Sequence, residues 1–116
     1  STGGAEVDVI FENVGKAYTR WLVQCKNSPS DLVHVSAIAK EVGNAVLANA
    51  NVIMIITTGR FSHPAREFAE ETVRKSNFSV LLLDGTDLEE FCSNGNAYLV
   101  RKVQQLNENI AEIRNS

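Results

Sequence analysis

The sequence is poor in the features that several large protein classes require. It has 2 cysteines, Cys25 and Cys92, and neither stands in a CxxC or Cys/His spacing. This pattern favours neither a structural zinc site nor a disulfide framework. The longest apolar run, residues 52–56, is far shorter than the roughly 20 residues of a membrane span. No basic and then apolar signal peptide opens the chain, so we expect a cytoplasmic protein that does not associate with membranes.

Positive charge is scarce as well. The sequence has 11 Lys and Arg residues and 14 Asp and Glu residues, which gives a formal net charge of -3. The molecule therefore lacks the overall basic field that drives non-specific nucleic-acid binding, and any such binding needs a local patch. The 2 prolines and 7 glycines form no linker, and no solenoid repeat is present. The sequence thus predicts one domain over residues 1–116.

Four stretches have the composition of β-strands. Residues 7–11 and 18–26 are rich in β-branched and aromatic residues, and the turn-like ENVGK between them predicts an antiparallel hairpin. Residues 52–58 and 79–83 are continuous apolar runs, which are typical of strands covered on both faces.

Helical patterns separate and follow these strands. The predicted helices cover about 33–50, a stretch after Ser62, about 86–92, and 96–114. Their expected N-terminal caps are Ser30 or Asp31, Ser62 with Pro64 in the first turn, and a Thr86/Glu89 capping box. The order β-β-α-β-α-β-α-α predicts an α/β fold, a three-layer-like sandwich with a mixed sheet and right-handed helical crossovers.

The C-terminal helix, residues 96–114, has an apolar seam with alternating steps of four and three. Its members are Leu99, Val103, Leu106, Ile110 and Ile113. Two heptads are too short for a coiled coil on their own. The seam therefore favours packing on the domain's own sheet, and a homodimer contact is the alternative.

The predicted hairpin carries polar residues that a plain hairpin does not need. Strand alternation puts Gln24 and Lys26 on one face and Cys25 on the other, where we expect it in the core. Pairing of the two strands can bring Asp8 beside Gln24 and Lys26. From the pattern alone a solvated Asp and Lys on a surface hairpin is the favoured interpretation, because exposure is their usual state.

The alternative is a cation site, because Mg2+ takes oxygen ligands and is commonly held by one or two carboxylates together with substrate phosphate. Asp8, the amide oxygen of Gln24 and the backbone carbonyl of Cys25 can supply oxygens. A bound cation polarises a phosphate and acidifies water, while Lys26 can orient that water or neutralise developing charge.

Several motifs, in a fixed order along the chain, favour the cation site over the surface hairpin. The segments GGAEVDVIFE, WLVQCKN, IMIITTGRFSHPAREFAEE and VLLLDGTDLEEF, within residues 3–91, resemble the catalytic domain of Mrr-type restriction endonucleases. That family is a branch of the PD-(D/E)XK nuclease superfamily. The resemblance implies that Asp8 binds metal, that Gln24 occupies the acidic-or-amide position, and that Lys26 is the catalytic lysine. It also implies cleavage of duplex DNA with Mg2+ or Mn2+.

Two departures from the family pattern affect the expected site. The family usually has a helix before the first motif strand, often with a further glutamate, whereas only seven residues precede Asp8 here. We expect that helix to be absent, replaced or outside this sequence. Glu6 stands where the family often has glycine, and on a regular strand it faces the same way as Asp8. Glu6 is therefore a candidate second carboxylate.

The segment TTGRFSHPAR joins a predicted strand to a predicted helix. The free N-H groups and positive dipole end of that helix, with Arg60, Thr58 and Ser62, could hold a DNA phosphate. An ordinary strand-to-helix turn with a solvent-facing arginine explains the same residues equally well. His63 is expected on the surface and outside the chemistry.

The leading hypothesis is a Mg2+-dependent endonuclease of restriction-endonuclease-like fold. A catalytically inactive DNA-binding or regulatory module with the same fold is the alternative, and the acidic composition and the missing first helix favour it. A structural or oligomerisation domain built on residues 96–114 is the third hypothesis.

Overall fold

A computed structural model describes residues 6–14 and 18–115 of the protein, and for residues 6–9, 11, 13, 14 and 18 it describes the backbone only. The elements are β1 (Glu6–Val14), β2 (Tyr18–Lys26), β3 (Leu32–Val33), α1 (Val35–Ala48), β4 (Val52–Thr57), β5 (Arg60–Phe61), α2 (His63–Lys75), β6 (Ser79–Leu83), α3 (Gly85–Asn94) and α4 (Asn96–Arg114). The α/β class predicted from the sequence is confirmed.

The main sheet is mixed and has the strand order β1-β2-β4-β6. Strand β1 is antiparallel to β2, which confirms the predicted hairpin. Strands β2, β4 and β6 are parallel to one another. Parallel neighbours need a crossover, which α1 and α2 supply. The carboxyl ends of β2, β4 and β6 therefore lie at one edge of the sheet.

Helices lie on both faces of the sheet. Arg20 of β2 donates from Nε to the carbonyl oxygen of Ala48 at 2.8 Å, which identifies the face covered by α1. On the opposite face Ile56 and Leu83 line an apolar cavity of about 110 Å³ together with residues of α3 and α4. Further along this second face Trp21 of β2 is only half-buried. The second face is therefore covered less completely than the first.

The core lies between the parallel strands and the helices. Its fully buried hydrophobic residues are Ile38, Ala45, Ile53, Ile55, Ala65 and Leu81. Helix α1 contributes a stripe of buried positions at 38, 41 and 45, the three- and four-residue steps of a helix with one face inward. None of the described helices is both long and apolar enough to cross a membrane.

The predicted start and cap of the first helix were wrong. Helix α1 begins at Val35, and His34 precedes it without a side-chain cap, so neither Ser30 nor Asp31 has that role. The residues before it form β3, which pairs in parallel with β5. The backbone N-H of Ser62 extends this pairing by donating to Val33 at 2.9 Å. Strand pairing satisfies these backbone groups, so the helix does not extend to them.

Two further caps were tested by the structure. Ser62 caps α2 as predicted, because its Oγ accepts from the backbone N-H of Ala65 at 3.1 Å. The capping box of α3 is formed by Asp84 and Asp87, two residues before the predicted Thr86/Glu89 box. Each of the two aspartates accepts from the backbone N-H of the other, at 3.1 and 2.9 Å. The acidic pair therefore starts the helix immediately after β6.

Helix α4 has the predicted bounds, and part of its seam packs on the protein's own core. Ile110 is buried, and Leu106 and Ile113 pack against the buried cluster. Towards the start of the helix Leu99 and Val100 are exposed, Val100 by 55%. The homodimer contact stays a prediction.

Backbone segments cross closely at the carboxyl edge of the sheet. A Cβ atom added to Gly59 would lie 2.2 Å from the carbonyl oxygen of Asp31, and one added to Gly85 would lie 2.4 Å from that of Thr58. The N-H of Gly85 donates to the carbonyl of Gly59 at 2.8 Å. Three loops are thus stacked at this edge with no side chain between them, which only glycine allows.

Candidate functional site

Strands β1 and β2 bring the predicted site residues into register. Asp8 is directly opposite Gln24, and Glu6 is directly opposite Lys26. The pairing that the sequence analysis required between Asp8 and β2 is thus present at the level of the backbone. The side chains of Asp8 and Glu6 lie outside the described ones, so their roles as ligands stay predictions.

Gln24 is the most unusual polar residue of β2. Its side chain is only 1% exposed, and its Oε1 has no hydrogen-bond partner among the described residues. Leaving a buried acceptor unsatisfied costs roughly 1–3 kcal/mol, so such atoms are rare in native proteins. An amide oxygen is also a ligand that hard cations accept. The environment of Gln24 therefore fits a residue that holds a cation.

Lys26 and Cys25 complete the end of β2. Lys26 is half-buried and is paired with Thr57 of β4, and its carbonyl oxygen accepts from the N-H of Thr58 at 3.0 Å. Cys25 is half-buried rather than in the core, because the sheet face that it shares with Trp21 is only partly covered. The expectation of a core cysteine was therefore wrong, and the role of its carbonyl as a ligand stays a prediction.

The acidic residues with described side chains do not form a metal site by themselves. Among these side chains no three His, Cys, Asp or Glu residues lie together as a metal-binding group. Further candidate ligands are Gln24 and, on β1, Asp8 and Glu6, whose side chains the structure does not describe.

The predicted phosphate-binding residues lie around the start of α2. Arg60 is exposed, whereas Ser62 is 8% exposed and its Oγ is engaged in capping the helix. Thr58 donates to the side-chain oxygen of Asn27 at 3.3 Å. His63 is a surface residue, as expected, with Nε2 2.9 Å from a carboxylate oxygen of Glu67. Contact of Arg60, Thr58 and Ser62 with a phosphate stays a prediction.

Sequence reasoning missed Glu41. This glutamate lies in the middle of α1, is 1% exposed, and accepts from Nδ2 of Asn44 at 3.1 Å. The available signal was its place at a three- and four-residue spacing from Ile38 and Ala45, which marks the inward face of the helix. An acidic residue at such a position is costly and needs a reason.

Sequence reasoning also missed a polar cluster that joins α3 to α4. Burial acts to raise the pKa of Asp87, but the backbone N-H of Asp84, the hydroxyl of Tyr98 and the ammonium of Lys102 outweigh it and lower the pKa. The same Asp87 carboxylate raises the pKa of Tyr98 to about 12. Asp87 of α3 thus accepts a hydrogen bond from Tyr98 and pairs with Lys102, both on α4, and these contacts hold the two helices together.

The mixed sheet and its helical layers define an α/β domain. The model of the Mrr_cat family, described as Restriction endonuclease, matches residues 1–92. This match spans most of the 116 residues, and the chain belongs to the Mrr-type family of restriction endonuclease catalytic domains. Its fold is therefore restriction-endonuclease-like. A comparison with curated proteins finds no match.

Proposed function

We propose that this domain hydrolyses phosphodiester bonds of duplex DNA with Mg2+ or Mn2+, using Asp8, Gln24 and Lys26. The observation that carries the proposal is the buried amide oxygen of Gln24, which has no hydrogen-bond partner among the described residues. It belongs to the residue of β2 that is opposite Asp8, and Lys26 follows two positions later on the same face. Membership of a restriction endonuclease family supports the same assignment.

The residue types on the hairpin suit a hard cation. Asp8 and the Gln24 amide oxygen are the proposed ligands, with the backbone carbonyl of Cys25 and the carboxylate of Glu6 as further candidates. When bound, the cation would polarise the scissile phosphate and lower the pKa of a coordinated water. The protein would supply the fixed position of these oxygens, because β2 is held between β1 and β4.

Lys26 is the proposed partner of the reacting phosphate. Its ammonium group can donate to the attacking water or to a phosphate oxygen, and it offsets negative charge as that charge develops. The residue ends β2 at the edge where the parallel strands finish, and it is half-buried. Partial burial strengthens its electrostatic effect.

The DNA backbone would be held at the same edge by Arg60 of β5, three residues before α2 begins, and by Thr58 in the preceding turn. Arg60 is exposed and can pair with a phosphate through two parallel N-H groups. Ser62 would act by fixing the first turn of α2, because its hydroxyl is engaged in the cap.

The test is cleavage of supercoiled plasmid with Mg2+ or Mn2+ by the wild type, Asp8→Ala and Lys26→Ala. We expect each substitution to lower the cleavage rate by at least about 100-fold, because loss of even an outer partner of a metal site costs 10–100-fold. Glu108→Gln, an exposed residue of α4, is the control and should cut at the wild-type rate. Unchanged cleavage in both site variants would contradict the proposal.

A nuclease-fold module that binds DNA without cutting it is the second candidate. The observation in its favour is the neutral amide of Gln24 at a position where a carboxylate would hold a divalent cation more strongly. If this candidate is correct, the wild type retains salt-sensitive binding to duplex DNA but leaves plasmid intact with either cation.

A further inference from the structure

Five buried polar side chains are described, and three of them belong to a turn or to the first turn of a helix. Thr57 accepts from the N-H of Gly59, Ser62 caps α2, and Asp87 belongs to the capping box of α3. The other two are Gln24 and Glu41, each 1% exposed. Neither stands at a helix end or in a turn.

The sheet face covered by α1 is the face that carries Gln24. The side chain of Arg20 reaches the end of α1 at Ala48, so the side chains of β2 that share its direction also face this helix. Alternation along a strand gives Gln24 and Lys26 the same direction as Arg20. The buried stripe of α1 that includes Glu41 packs on this same face of the sheet.

Gln24 and Glu41 also lie at similar distances from the contact between Arg20 and Ala48, measured along β2 and along α1. Helix α1 runs antiparallel to β2, because β2 and β4 are parallel and α1 connects them. From Ala48 back to Glu41 the helix rises about 10 Å. From Arg20 to Gln24 the strand advances about 13 Å. Long side chains on a helix lean towards its N-terminus, which is here the direction of Gln24 and Lys26.

We propose that Glu41 supplies a second carboxylate to the cation site of the hairpin and thus takes the role that a glutamate at position 24 would have. This inference rests on the proposed function. A divalent cation that is held by Asp8 and the neutral amide of Gln24 alone would keep one positive charge in a low-dielectric setting. Glu41 removes that excess, and two carboxylates are within the usual set for Mg2+.

The cost of burying Glu41 supports the same role. A carboxylate in a core is expensive compared with an apolar residue of similar volume, and buried ion pairs contribute little net stability. Unusual buried titratable groups of this kind concentrate at functional sites. The oxygen of Gln24 on the same face, which has no hydrogen-bond partner among the described side chains, is an independent sign that this part of the core is arranged for a ligand.

The experiment measures Mn2+ binding by isothermal titration calorimetry, without DNA, so that it does not depend on turnover. We expect Glu41→Gln to raise the Kd for Mn2+ by about tenfold or more. Glu108→Gln removes the same charge from an exposed position of α4 and should keep the wild-type Kd. Circular dichroism and the urea midpoint of each variant establish that it is folded.

A rescue variant separates ligation from packing. The double substitution Gln24→Glu with Glu41→Gln moves the carboxylate from α1 to β2, and we expect it to recover most of the lost Mn2+ affinity. If Glu41 served only to pack α1, Gln24→Glu would change the Kd for Mn2+ by the same factor in the wild-type and in the Glu41→Gln background. Should Glu41→Gln fail to fold alone, the double variant and Glu41→Asp, which keeps the charge but shortens its reach, carry the comparison.

The outcomes for Glu41 and for the proposed function are distinct. A Kd unchanged in Glu41→Gln, together with a strong loss in Asp8→Ala, would exclude Glu41 from the site and leave the nuclease assignment intact. Absence of Mn2+ binding by the wild type overturns the inference whether or not plasmid is cut. Plasmid cleavage that is insensitive to Asp8→Ala and Lys26→Ala rejects the proposed function itself.

Discussion

The hydrogen bond from the hydroxyl of Tyr98 to Oδ1 of Asp87, 2.8 Å long, joins α4 to α3. Lys102 contacts the same carboxylate oxygen at 3.2 Å. Both partners favour the ionised carboxylate, and that carboxylate in turn disfavours ionised tyrosine. A single buried aspartate therefore completes the capping box of α3 and anchors α4 to it.

This cluster predicts how stability depends on alkaline pH. The pKa of Tyr98 is raised from 10.0 to about 12 in the folded state by the hydrogen bond to Asp87. Because the folded pKa is higher, the stabilisation is fully present below pH 10 and is lost as pH rises from 10 through about 12. Urea unfolding of wild type and Tyr98→Phe across this range should show a steeper loss in the wild type. Parallel curves would contradict the prediction.

At the same scale strand periodicity predicted the direction of side chains but not their depth. Alternation along β2 correctly assigns Gln24 and Lys26 to one face and Cys25 to the other. It does not predict how deeply either face is covered, which depends on helices far along the chain, and so Cys25 was expected in the core. Glu41 was missed because a mid-helix glutamate is normally solvated, and only the packing of α1 on the sheet reveals its burial.

Among the elements, the loops at the carboxyl edge of the sheet leave no space for a side chain at position 59. We expect Gly59→Ala to lower the free energy of unfolding by about 1–3 kcal/mol or more, because its Cβ would overlap the carbonyl oxygen of Asp31. Chemical denaturation followed by circular dichroism measures the change.

A second glycine provides the matched control. Gly43 lies on the exposed side of α1, and a Cβ there would meet nothing within 4 Å. We expect Gly43→Ala to raise the free energy of unfolding by about 1 kcal/mol through helix propensity. If Gly59→Ala were tolerated as well as Gly43→Ala, the close crossing of the loops would be refuted.

The long elements were predictable, and the short ones were not. Strand β2 and helix α4 have the bounds that their composition and apolar spacing predicted. Strands β3 and β5 have two residues each, too few for a periodic signal, and they exist because distant segments meet. The cap of α3 was misplaced because Thr86/Glu89 and Asp84/Asp87 both match a capping pattern, and only the end of β6 decides between them.

For the molecule as a whole, the net charge of -3 limits any DNA binding to local contacts. If Arg60 contacts a phosphate, Arg60→Ala should weaken duplex binding and reduce the slope of log K against log salt by about 0.9. Fluorescence anisotropy with a labelled duplex, in Ca2+ and at several salt concentrations, measures both quantities.

Lys75→Ala is the control for this charge change. Lys75 lies at the opposite end of α2 from Ser62 and is 76% exposed, 3.2 Å from a carboxylate oxygen of Glu71. The slope for Lys75→Ala should equal that of the wild type. Equal slopes for all three proteins would remove Arg60 from the DNA contact surface.

The partly covered face of β2 has a spectroscopic consequence. Trp21 is the only tryptophan of the sequence, and it lies on this face, opposite to the face of Gln24. Its emission therefore reports the solvent exposure of the central strand without any label. A cation bound at Gln24 would be separated from the indole by the sheet. A red shift of this emission should accordingly record unfolding, while titration with cation leaves the wavelength unchanged.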